Sequence, residues 1–194
     1  AIKPPWYFSF PEYLIDMAVN WSVGYVVSVS KNCLNTLKSK RGFLNNNKFR
    51  YIYNGIADPA RNINNENTDT IKSDSVKPYC LMLATYEERK GHEYLLRAFK
   101  IVVEKIPESF LRIYGYGRDK EKQRIKNTIK KLNLTNNVSL NGFEPDSSTL
   151  LVNARLLVVP SQAYESFGLT IIEAMAFSLP VVVTDVGGMP EVLE

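Results

Sequence analysis

The stretch RLLVVPSQAYESFGLTIIEAMAFSLPVVVTD, residues 155–185, decides the fold. Its apolar ends, RLLVVP (155–160) and PVVVTD (180–185), have the pattern of buried strands, and the segment between them has the pattern of a helix. Strands that are apolar on both faces and are joined through a helix are typical of a parallel sheet. The stretch therefore predicts an α/β fold with a doubly wound parallel sheet.

The same alternation extends back to residue 79. Further strands are predicted at 79–84, 111–115 and 138–142, helices at 92–106 and 119–133, and a short helix capped by 146–148 that runs to about 154. In the helix 92–106, Leu95, Phe99, Val102 and Ile106 lie on one face and predict a buried stripe. Ligands of such sheets bind at the carboxyl ends of the strands, so candidate site residues are expected there.

The region before residue 79 is organised differently. A helix is predicted at 12–20, a strand at 24–30, a helix at 31–42 and a strand at 49–55, and a polar, Asn-rich segment follows. We therefore expect residues 1–56 to be the C-terminal part of one domain, 57–77 a linker, and 78–194 most of a second domain. The chain begins without methionine and ends as a helix starts, which favours a fragment of a longer protein.

Composition and charge exclude few functions. The net charge of +4 belongs to residues 1–58, where it fits either an anionic partner or, more simply, a solvated basic face. Cys33 and Cys80 match no metal spacing and favour a reduced cytosolic protein. The aromatic stretch AIKPPWYFSF (1–10) fits either peripheral membrane contact or an aromatic core, and no apolar run approaches the roughly 18 residues that a transmembrane helix needs.

Two glutamates and a helix N-terminus form the main candidate site. Apolar residues surround the polar stripe Ser166, Thr170 and Glu173, which predicts a buried helix and a partner for Glu173, either a structural contact or ligand hydroxyls. Free backbone N–H groups at 166–170 suit a phosphate. Glu165 lies outside this end, and Glu173 lies about five residues along, or roughly 8 Å. A phosphate flanked by two carboxylates suits a nucleotide sugar.

Other polar residues at strand ends leave alternatives open. Arg89 and Lys90 fit either a diphosphate site or an ordinary cationic surface. Gly115 and Gly117 fit a tight turn or the floor for a flat base, and they lack the third glycine of a dinucleotide fingerprint. His92, the sole histidine, is expected to cap a helix or lie at the surface. No Asp-x-Asp pair follows a strand and no histidines cluster, so no metal site is expected.

These motifs resemble those of the group 1 (family 4) retaining glycosyltransferases of the GT-B fold. Residues 165–173, ESFGLTIIE, resemble the E-x7-E element of that family, and YNGI (53–56), RKG (89–91), GYG (115–117) and VSLNGF (138–143) occur in the right order. The resemblance covers about residues 22–194. It implies two Rossmann-like domains facing across a cleft, with 78–194 an incomplete donor-binding domain and the earlier residues a partial acceptor-side domain.

The resemblance also implies residue roles. Glu165 would contact the donor sugar and Lys90 the diphosphate as catalytic residues, and Glu173 would bind the ribose hydroxyls. The implied donor-binding set is Arg89, Lys90, Gly115, Gly117, Phe143, Glu165, Ser166, Phe167, Gly168, Leu169, Thr170 and Glu173. The family usually has an arginine five or six residues before the lysine, where this chain has Thr85 and Ala84; Arg89 is the candidate replacement.

The implied activity is transfer of a sugar from a UDP- or GDP-sugar to an acceptor hydroxyl with retention of anomeric configuration, without a cofactor. The acceptor would be a saccharide or lipid-linked, in polysaccharide or glycolipid biosynthesis, in the cytoplasm and at the inner face of the membrane, with no nucleic acid partner. The fragment alone is expected to be inactive. Two alternatives are a module that binds a nucleotide sugar without turnover and a Rossmann oxidoreductase, which the absent third glycine disfavours.

Overall fold

The computed structural model describes residues 14, 17, 18, 21–40, 46–57 and 77–194. The aromatic stretch 1–10 and nearly all of the predicted linker lie outside the described residues. Leu14, Met17 and Ala18, the described residues of the predicted helix 12–20, are helical.

The first part of the chain forms a small parallel unit. Strand β1 (Val26–Ser28) is followed by helix α1 (Lys31–Lys40) and strand β2 (Phe49–Tyr51), and Val26 pairs with Phe49 in parallel register. Leu34 from α1 and Phe49 from β2 are buried against Val26. Because parallel neighbours need a crossover connection, α1 lies over the pair and supplies its apolar cover.

The second part alternates strands and helices along its whole length. Its elements are β3 (Tyr79–Leu83), α2 (His92–Lys105), β4 (Leu111–Tyr114), α3 (Asp119–Lys131), β5 (Val138–Leu140), α4 (Ser148–Asn153), β6 (Ala154–Val159), α5 (Leu169–Ala176), β7 (Val181–Val183) and α6 (Pro190–Leu193). Every pair of neighbouring strands is parallel. The predicted α/β fold with a parallel sheet is thus confirmed.

The strand order explains where a ligand can bind. The five-stranded sheet runs β5-β4-β3-β6-β7, so the chain winds outward in one direction from β3 and then in the other from β6. The connections that leave β3 and β6 diverge to opposite sides, which opens a crevice at their carboxyl ends. Residues just after Leu83 and Val159 therefore occupy the preferred ligand position of this fold.

Helices cover both faces of this sheet. Side chains of β3 alternate, so that Met82 packs with α2 and α3 whereas Leu81 packs with α4 and α5. The two clusters have fully buried centres at Leu96, Ile113 and Ile125 on one face and at Leu81, Leu157 and Ile171 on the other. Such strands are apolar on both faces because both faces are covered.

Two sequence expectations about helix burial were wrong. Val102 and Ile106 are 39% and 49% exposed, although periodicity placed them in the buried stripe of α2. Val103, in the last turn of α2, still packs on the core with Leu96 and Phe99, so Val102 lies beside the buried face, and Ile106 lies beyond the end of the helix. Helix α5 is not buried all round either: Leu169 and Met175 are 47% and 45% exposed because only one face packs on β6 and β7.

Candidate functional site

A cavity of about 600 Å³ opens at the carboxyl ends of β3 and β6. It contains the residues that follow these strands and the first turn of α5, and it also receives Val29 and Asn54 from the first part of the chain. The predicted donor-binding residues in its wall are Lys90, Phe143, Glu165, Ser166, Phe167, Gly168, Leu169, Thr170 and Glu173. The fold thus brings most of the sequence-predicted site residues to one place.

Glu165 and Lys90 form an ion pair in this cavity. Lys90 Nζ donates to Glu165 Oε2 at 2.6 Å, and the two side chains are only 17% and 15% exposed. The Ser161 hydroxyl donates to the same oxygen at 3.0 Å. Within the described residues, Glu165 Oε1 has no protein partner. One carboxylate oxygen is therefore fixed by the protein, and the other is available to a ligand hydroxyl.

The N-terminus of α5 lies beside this pair. Gly168 precedes the helix with a left-handed φ of 99°, and a Cβ there would meet Ile171 Cδ1 at 2.7 Å, so a glycine is required at this turn. No side chain caps the helix. Among the described residues, the backbone N–H groups of 166–170 have no protein acceptor. The turn therefore presents several free donors and the positive end of the helix to the cavity.

Glu173 lies one turn further along α5 and is half-buried. Within the described part of the chain, its carboxylate makes neither a hydrogen bond nor an ion pair. Burial raises the pKa of the Glu173 carboxyl above its ordinary value. The sequence expectation that Glu173 meets a structural partner is not met in the described residues. Its position in the cavity wall is compatible with the other expectation, a contact with ligand hydroxyls.

Arg89 is oriented differently from Lys90. Its Nε donates to Glu87 Oε2 at 2.7 Å, and the Thr85 hydroxyl donates to Glu87 Oε1 at 3.0 Å. These two contacts, the one with Arg89 the stronger, hold the pKa of the Glu87 carboxyl below its ordinary value. Arg89 Nη1 also donates to the Tyr164 carbonyl oxygen at 3.4 Å, and Arg89 does not line the cavity of about 600 Å³. Its role as the replacement for the missing arginine therefore stays a prediction.

A second cavity of about 270 Å³ adjoins the first. Gly115 and Thr170 are in its wall, and Tyr116, Phe143 and Glu173 border both cavities. The rings of Tyr116 and Phe143 meet edge to face with centroids 5.6 Å apart, and both are more than half exposed. An exposed aromatic pair at a cavity mouth offers a surface for a flat base. Gly117 lies outside both cavities, against Tyr86 and Glu121.

Sequence reasoning missed several residues of the site. Ser161 follows β6 directly, and its place at a strand end was the available signal. Tyr116 lies between Gly115 and Gly117, at the end of a strand. An aromatic residue in such a turn is not expected to be buried, and this was the available signal. Val29 and Asn54 come from the first part of the chain, and no local pattern links them to a cavity that is formed mainly by residues 82–173.

His92 was expected to cap a helix or to lie at the surface; it stands at the start of a helix, but it is buried. His92 is the first residue of α2, but it is only 1% exposed and packs edge-on against Tyr86 with ring centroids 5.9 Å apart. Neither ring nitrogen has a hydrogen-bond partner of good geometry. Burial, with a smaller effect from the Arg124 charge, lowers the pKa of His92 to about 4. The apolar contacts of the ring override the preference of histidine for a surface position.

Two further features of the described residues concern metal ions and membranes. No three His, Cys, Asp or Glu side chains there are grouped closely enough to hold a metal ion. No helix in the described ranges has both the length and the hydropathy needed to cross a membrane.

Comparisons with known proteins agree on one family. Residues 64–194 match the family described as glycosyl transferases group 1. The chain is 41% identical over 98 residues to an uncharacterized glycosyltransferase of Methanocaldococcus jannaschii, covering 50% of this chain and 23% of that protein. It is 35% identical over 111 residues to the poly(glycerol-phosphate) alpha-glucosyltransferase of Bacillus subtilis, covering 57% of this chain and 16% of that protein.

Solved structures extend the likeness to the fold. Anabaena HepE in complex with UDP and glucose matches with a TM-score of 0.78 at 22% identity, over 100% of this chain and 53% of that one. The chain thus spans about half the length of this structural neighbour and less than a quarter of the two curated relatives.

Proposed function

Because the chain belongs to the group 1 glycosyl transferases and shares the parallel α/β fold of their GT-B members, we propose that the full-length protein transfers a sugar from a nucleoside diphosphate sugar to an acceptor hydroxyl, with retention of anomeric configuration. One observation carries the proposal. A single cavity has the Glu165–Lys90 pair at one side, the free N–H groups of α5 in the middle and Glu173 at the other side.

The charges of the site suit such a donor. A diphosphate carries several negative charges, and the cavity offers it the cationic Lys90 side chain and the partial positive charge of the α5 N-terminus. Sugar and ribose hydroxyls donate hydrogen bonds, and carboxylates accept them. With the diphosphate at the N-terminus of α5, Glu165 would accept hydrogen bonds from the sugar hydroxyls, and Glu173 would accept them from the ribose hydroxyls.

The proposed reaction breaks the bond between the anomeric carbon and the diphosphate oxygen. The acceptor hydroxyl attacks that carbon from the face that the diphosphate leaves, and its proton passes to the departing phosphate oxygen. Lys90 and the N–H groups at 166–170 stabilise the negative charge that develops on the leaving group. Glu165, fixed by Lys90 and Ser161, orients the sugar so that the anomeric carbon faces the acceptor.

The donor is proposed to be a UDP- or GDP-sugar that needs no cofactor. Tyr116 and Phe143 would border the base at the smaller cavity, where Gly115 and Thr170 complete the wall. The structure of the Anabaena neighbour holds UDP and glucose, which supports a uridine nucleotide as the first donor to assay.

The acceptor is proposed to be a saccharide or a lipid-linked molecule, in polysaccharide or glycolipid biosynthesis. The relative from Bacillus subtilis is a poly(glycerol-phosphate) alpha-glucosyltransferase, which supports a polymer as the acceptor. We place the reaction in the cytoplasm, at the inner face of the membrane. Both cysteines are free, which is compatible with a reducing compartment.

The two sheets support the proposed domain organisation. Among the residues that the structure describes, β1 and β2 pair only with each other, and β3 to β7 form a separate sheet. We assign residues 1–56 to the acceptor-side domain, 57–77 to a linker and 78–194 to the nucleotide-sugar-binding domain.

A second candidate is a module that binds a nucleotide sugar without turnover. The observation that favours it is the shortage of cations near the diphosphate position. Thr85 and Ala84 stand where an arginine is expected, and Arg89 is paired with Glu87. A single lysine stabilises the leaving group less than a lysine and an arginine together.

An assay of the full-length protein separates the two candidates. UDP- and GDP-sugars labelled in the sugar are incubated with the protein and with saccharide or lipid-linked acceptors, and the release of nucleoside diphosphate and the labelled product are followed. The transferase proposal predicts a product whose anomeric configuration, read by proton NMR, equals that of the donor. Inversion would contradict the retention mechanism. Tight binding of the donor with no turnover on any acceptor would favour the binding module.

A further inference from the structure

The carboxylate of Glu191 joins the two parts of the chain. Glu191 Oε2 accepts the backbone N–H of Lys31 at 2.8 Å, and Oε1 accepts that of Asn32 at 2.6 Å. The Tyr53 hydroxyl donates to Oε2 at 3.1 Å. We call these three hydrogen bonds the Glu191 contact. A residue of α6 thus caps the N-terminus of α1 about 160 positions earlier in the chain, which satisfies two otherwise free helix donors.

The electrostatics of the Glu191 contact are favourable. Burial alone would raise the pKa of the Glu191 carboxyl, but the hydrogen bonds from Asn32, Lys31 and Tyr53 outweigh it, so that the pKa lies below its ordinary value. The carboxylate is therefore charged at neutral pH, next to the positive end of the α1 dipole. Hydrogen bonds of this kind, with a charged acceptor, are stronger than neutral ones.

The same segments also touch the turn that carries Glu165. The rings of Tyr53 and Phe167 lie with centroids 5.8 Å apart, and Cys33 Sγ lies 3.6 Å from the Ser166 carbonyl oxygen. The two backbone N–H groups and the Tyr53 hydroxyl that hold Glu191 therefore belong to a region that packs directly on residues 166 and 167.

The loop that leads to Glu191 packs between the Glu165 turn and the start of α1. Gly188 N–H donates to the Glu165 carbonyl at 2.8 Å. A Cβ on Gly188 would lie 2.3 Å from the Ser166 carbonyl oxygen and 2.8 Å from Ser30 Oγ. Only a glycine allows this approach, so the loop fixes the distance between the start of α1 and the Glu165 turn.

The hydrogen-bond donors to Glu191 are close in sequence to residues of the cavity wall. Val29 lies two residues before Lys31, and Asn54 directly follows Tyr53. A shift of α1 relative to the Glu165 turn would therefore move the wall that Val29 and Asn54 form. No strand pairing joins the two sheets in the described residues, so that side-chain contacts of this kind set their relative position.

From this arrangement we propose that Glu191 is a positioning residue for sugar transfer, which holds the first part of the chain against the Glu165 turn. The proposal rests on the proposed transferase function. The proposed donor-binding groups Lys90, Glu173 and the N–H groups of α5 all belong to the second part of the chain. Donor binding should therefore depend little on the Glu191 contact. Loss of the Glu191 contact impairs transfer to an acceptor much more than it impairs binding of the donor nucleotide.

The test compares Glu191→Ala and Glu191→Gln in the full-length protein, with the exposed Glu194→Gln as the matched control. We measure kcat for transfer, hydrolysis of the donor by water, and the Kd of UDP and GDP by calorimetry. Glu191→Ala is expected to lower kcat for transfer about tenfold and to leave hydrolysis and Kd within about twofold. Glu191→Gln, which keeps one acceptor oxygen, should lie between Glu191→Ala and the parent, and Glu194→Gln should match the parent.

Equal losses in all three measurements, or unchanged transfer, would overturn the proposal. Tyr53→Phe, which removes one hydroxyl, provides a milder variant should both Glu191 variants fail to fold; a two- to threefold loss of transfer supports the proposal and no loss refutes it. Hydrogen exchange of the backbone amides at 31–34 tests the Glu191 contact independently of the transferase function. If the parent shows no transfer, the transferase function fails, whereas faster exchange in Glu191→Ala still supports the Glu191 contact and unchanged exchange refutes it.

Discussion

The two glutamates that border the cavity, Glu165 and Glu173, differ in what their carboxylates contact. Glu165 precedes α5 and is held by Lys90 and Ser161. Glu173 lies within α5, and in the described residues it has no partner, while burial raises the pKa of its carboxyl. One acid is therefore fixed before a ligand arrives, and the other carries an uncompensated desolvation cost.

This difference suggests different roles for the two acids. A group that acts at the reacting sugar gains from being held in place in advance, since no reorganisation is then needed during the reaction. A group that serves only to bind the ligand gains its partner when the ligand arrives. We therefore assign turnover to the Glu165 side of the cavity and affinity to the Glu173 side.

The largest effect is expected for Glu165→Gln. The substitution keeps the shape of the side chain but removes the charge that pairs with Lys90, so that the sugar is no longer oriented. We expect kcat for transfer to fall about 100- to 1,000-fold, with a Tm within a few degrees of the parent. Glu104→Gln, at the exposed Glu104 that pairs with Lys100 in α2, is the control and should leave kcat unchanged. A fall of less than about threefold would remove Glu165 from the reaction.

A somewhat smaller effect is expected for Lys90→Ala, at about 100-fold in kcat/KM. Because Lys90 and Glu165 share one contact, the double variant should lose far less than the product of the two single losses. The Lys100–Glu104 pair, at 3.5 Å and more exposed than the Lys90–Glu165 pair, supplies the control cycle, in which effects should be additive. Additive losses at Lys90 and Glu165 would show that the ion pair has no part in catalysis.

Glu173→Gln should change affinity more than turnover. An amide accepts hydroxyl hydrogen bonds less strongly than a carboxylate, so the donor KM should rise about tenfold, with kcat within about threefold of the parent. Steady-state kinetics over a range of donor concentrations measures both. The division of roles between the two glutamates would be refuted if Glu173→Gln lowered kcat as much as Glu165→Gln does.

The smallest effect concerns the stability of the unliganded protein. Since the pKa of Glu173 is raised in the folded state, the folded protein binds its proton more tightly than the unfolded chain, and ionisation at neutral pH costs stability. Glu173→Gln should therefore raise Tm at pH 7 by roughly 1–2 °C. The gain should shrink as the pH falls towards 4, where the parent carboxyl becomes protonated. A lower Tm at pH 7 would show that the carboxylate has a stabilising partner.

Much of the fold could be predicted from the sequence because it depends on local patterns. Apolar runs placed all the strands of the five-stranded sheet, and the helical periodicity of Leu95 and Phe99 identified the buried face of α2. Strand ends were less certain, since an apolar run does not show where regular pairing with the neighbouring strand stops. VSLNG was predicted as a strand, but the strand ends at Leu140, and Asn141 and Gly142 continue it only through one backbone hydrogen bond each. Helical periodicity, likewise, did not show that Val103 packs on the core whereas Val102 is exposed.

The candidate site could be predicted where its residues share one segment. Glu165, Gly168 and Glu173 stand in one loop and helix, and their spacing alone indicated a site for a diphosphate with hydroxyls on either side. Contacts between distant segments could not be found in this way. Nothing near Glu191 indicates that its carboxylate caps a helix that starts at Lys31, because that contact depends on the packing of the two parts of the chain.

The central claim is that the cavity holds the sugar at Glu165 and the nucleoside at Glu173. Calorimetric titration of the full-length protein with a nucleotide sugar and with the free nucleoside diphosphate tests it directly. Glu173→Gln should weaken both ligands equally, about tenfold, whereas Glu165→Gln should weaken only the nucleotide sugar. If Glu165→Gln weakened the free nucleoside diphosphate as much as the nucleotide sugar, the assignment of the two ends of the cavity would be contradicted.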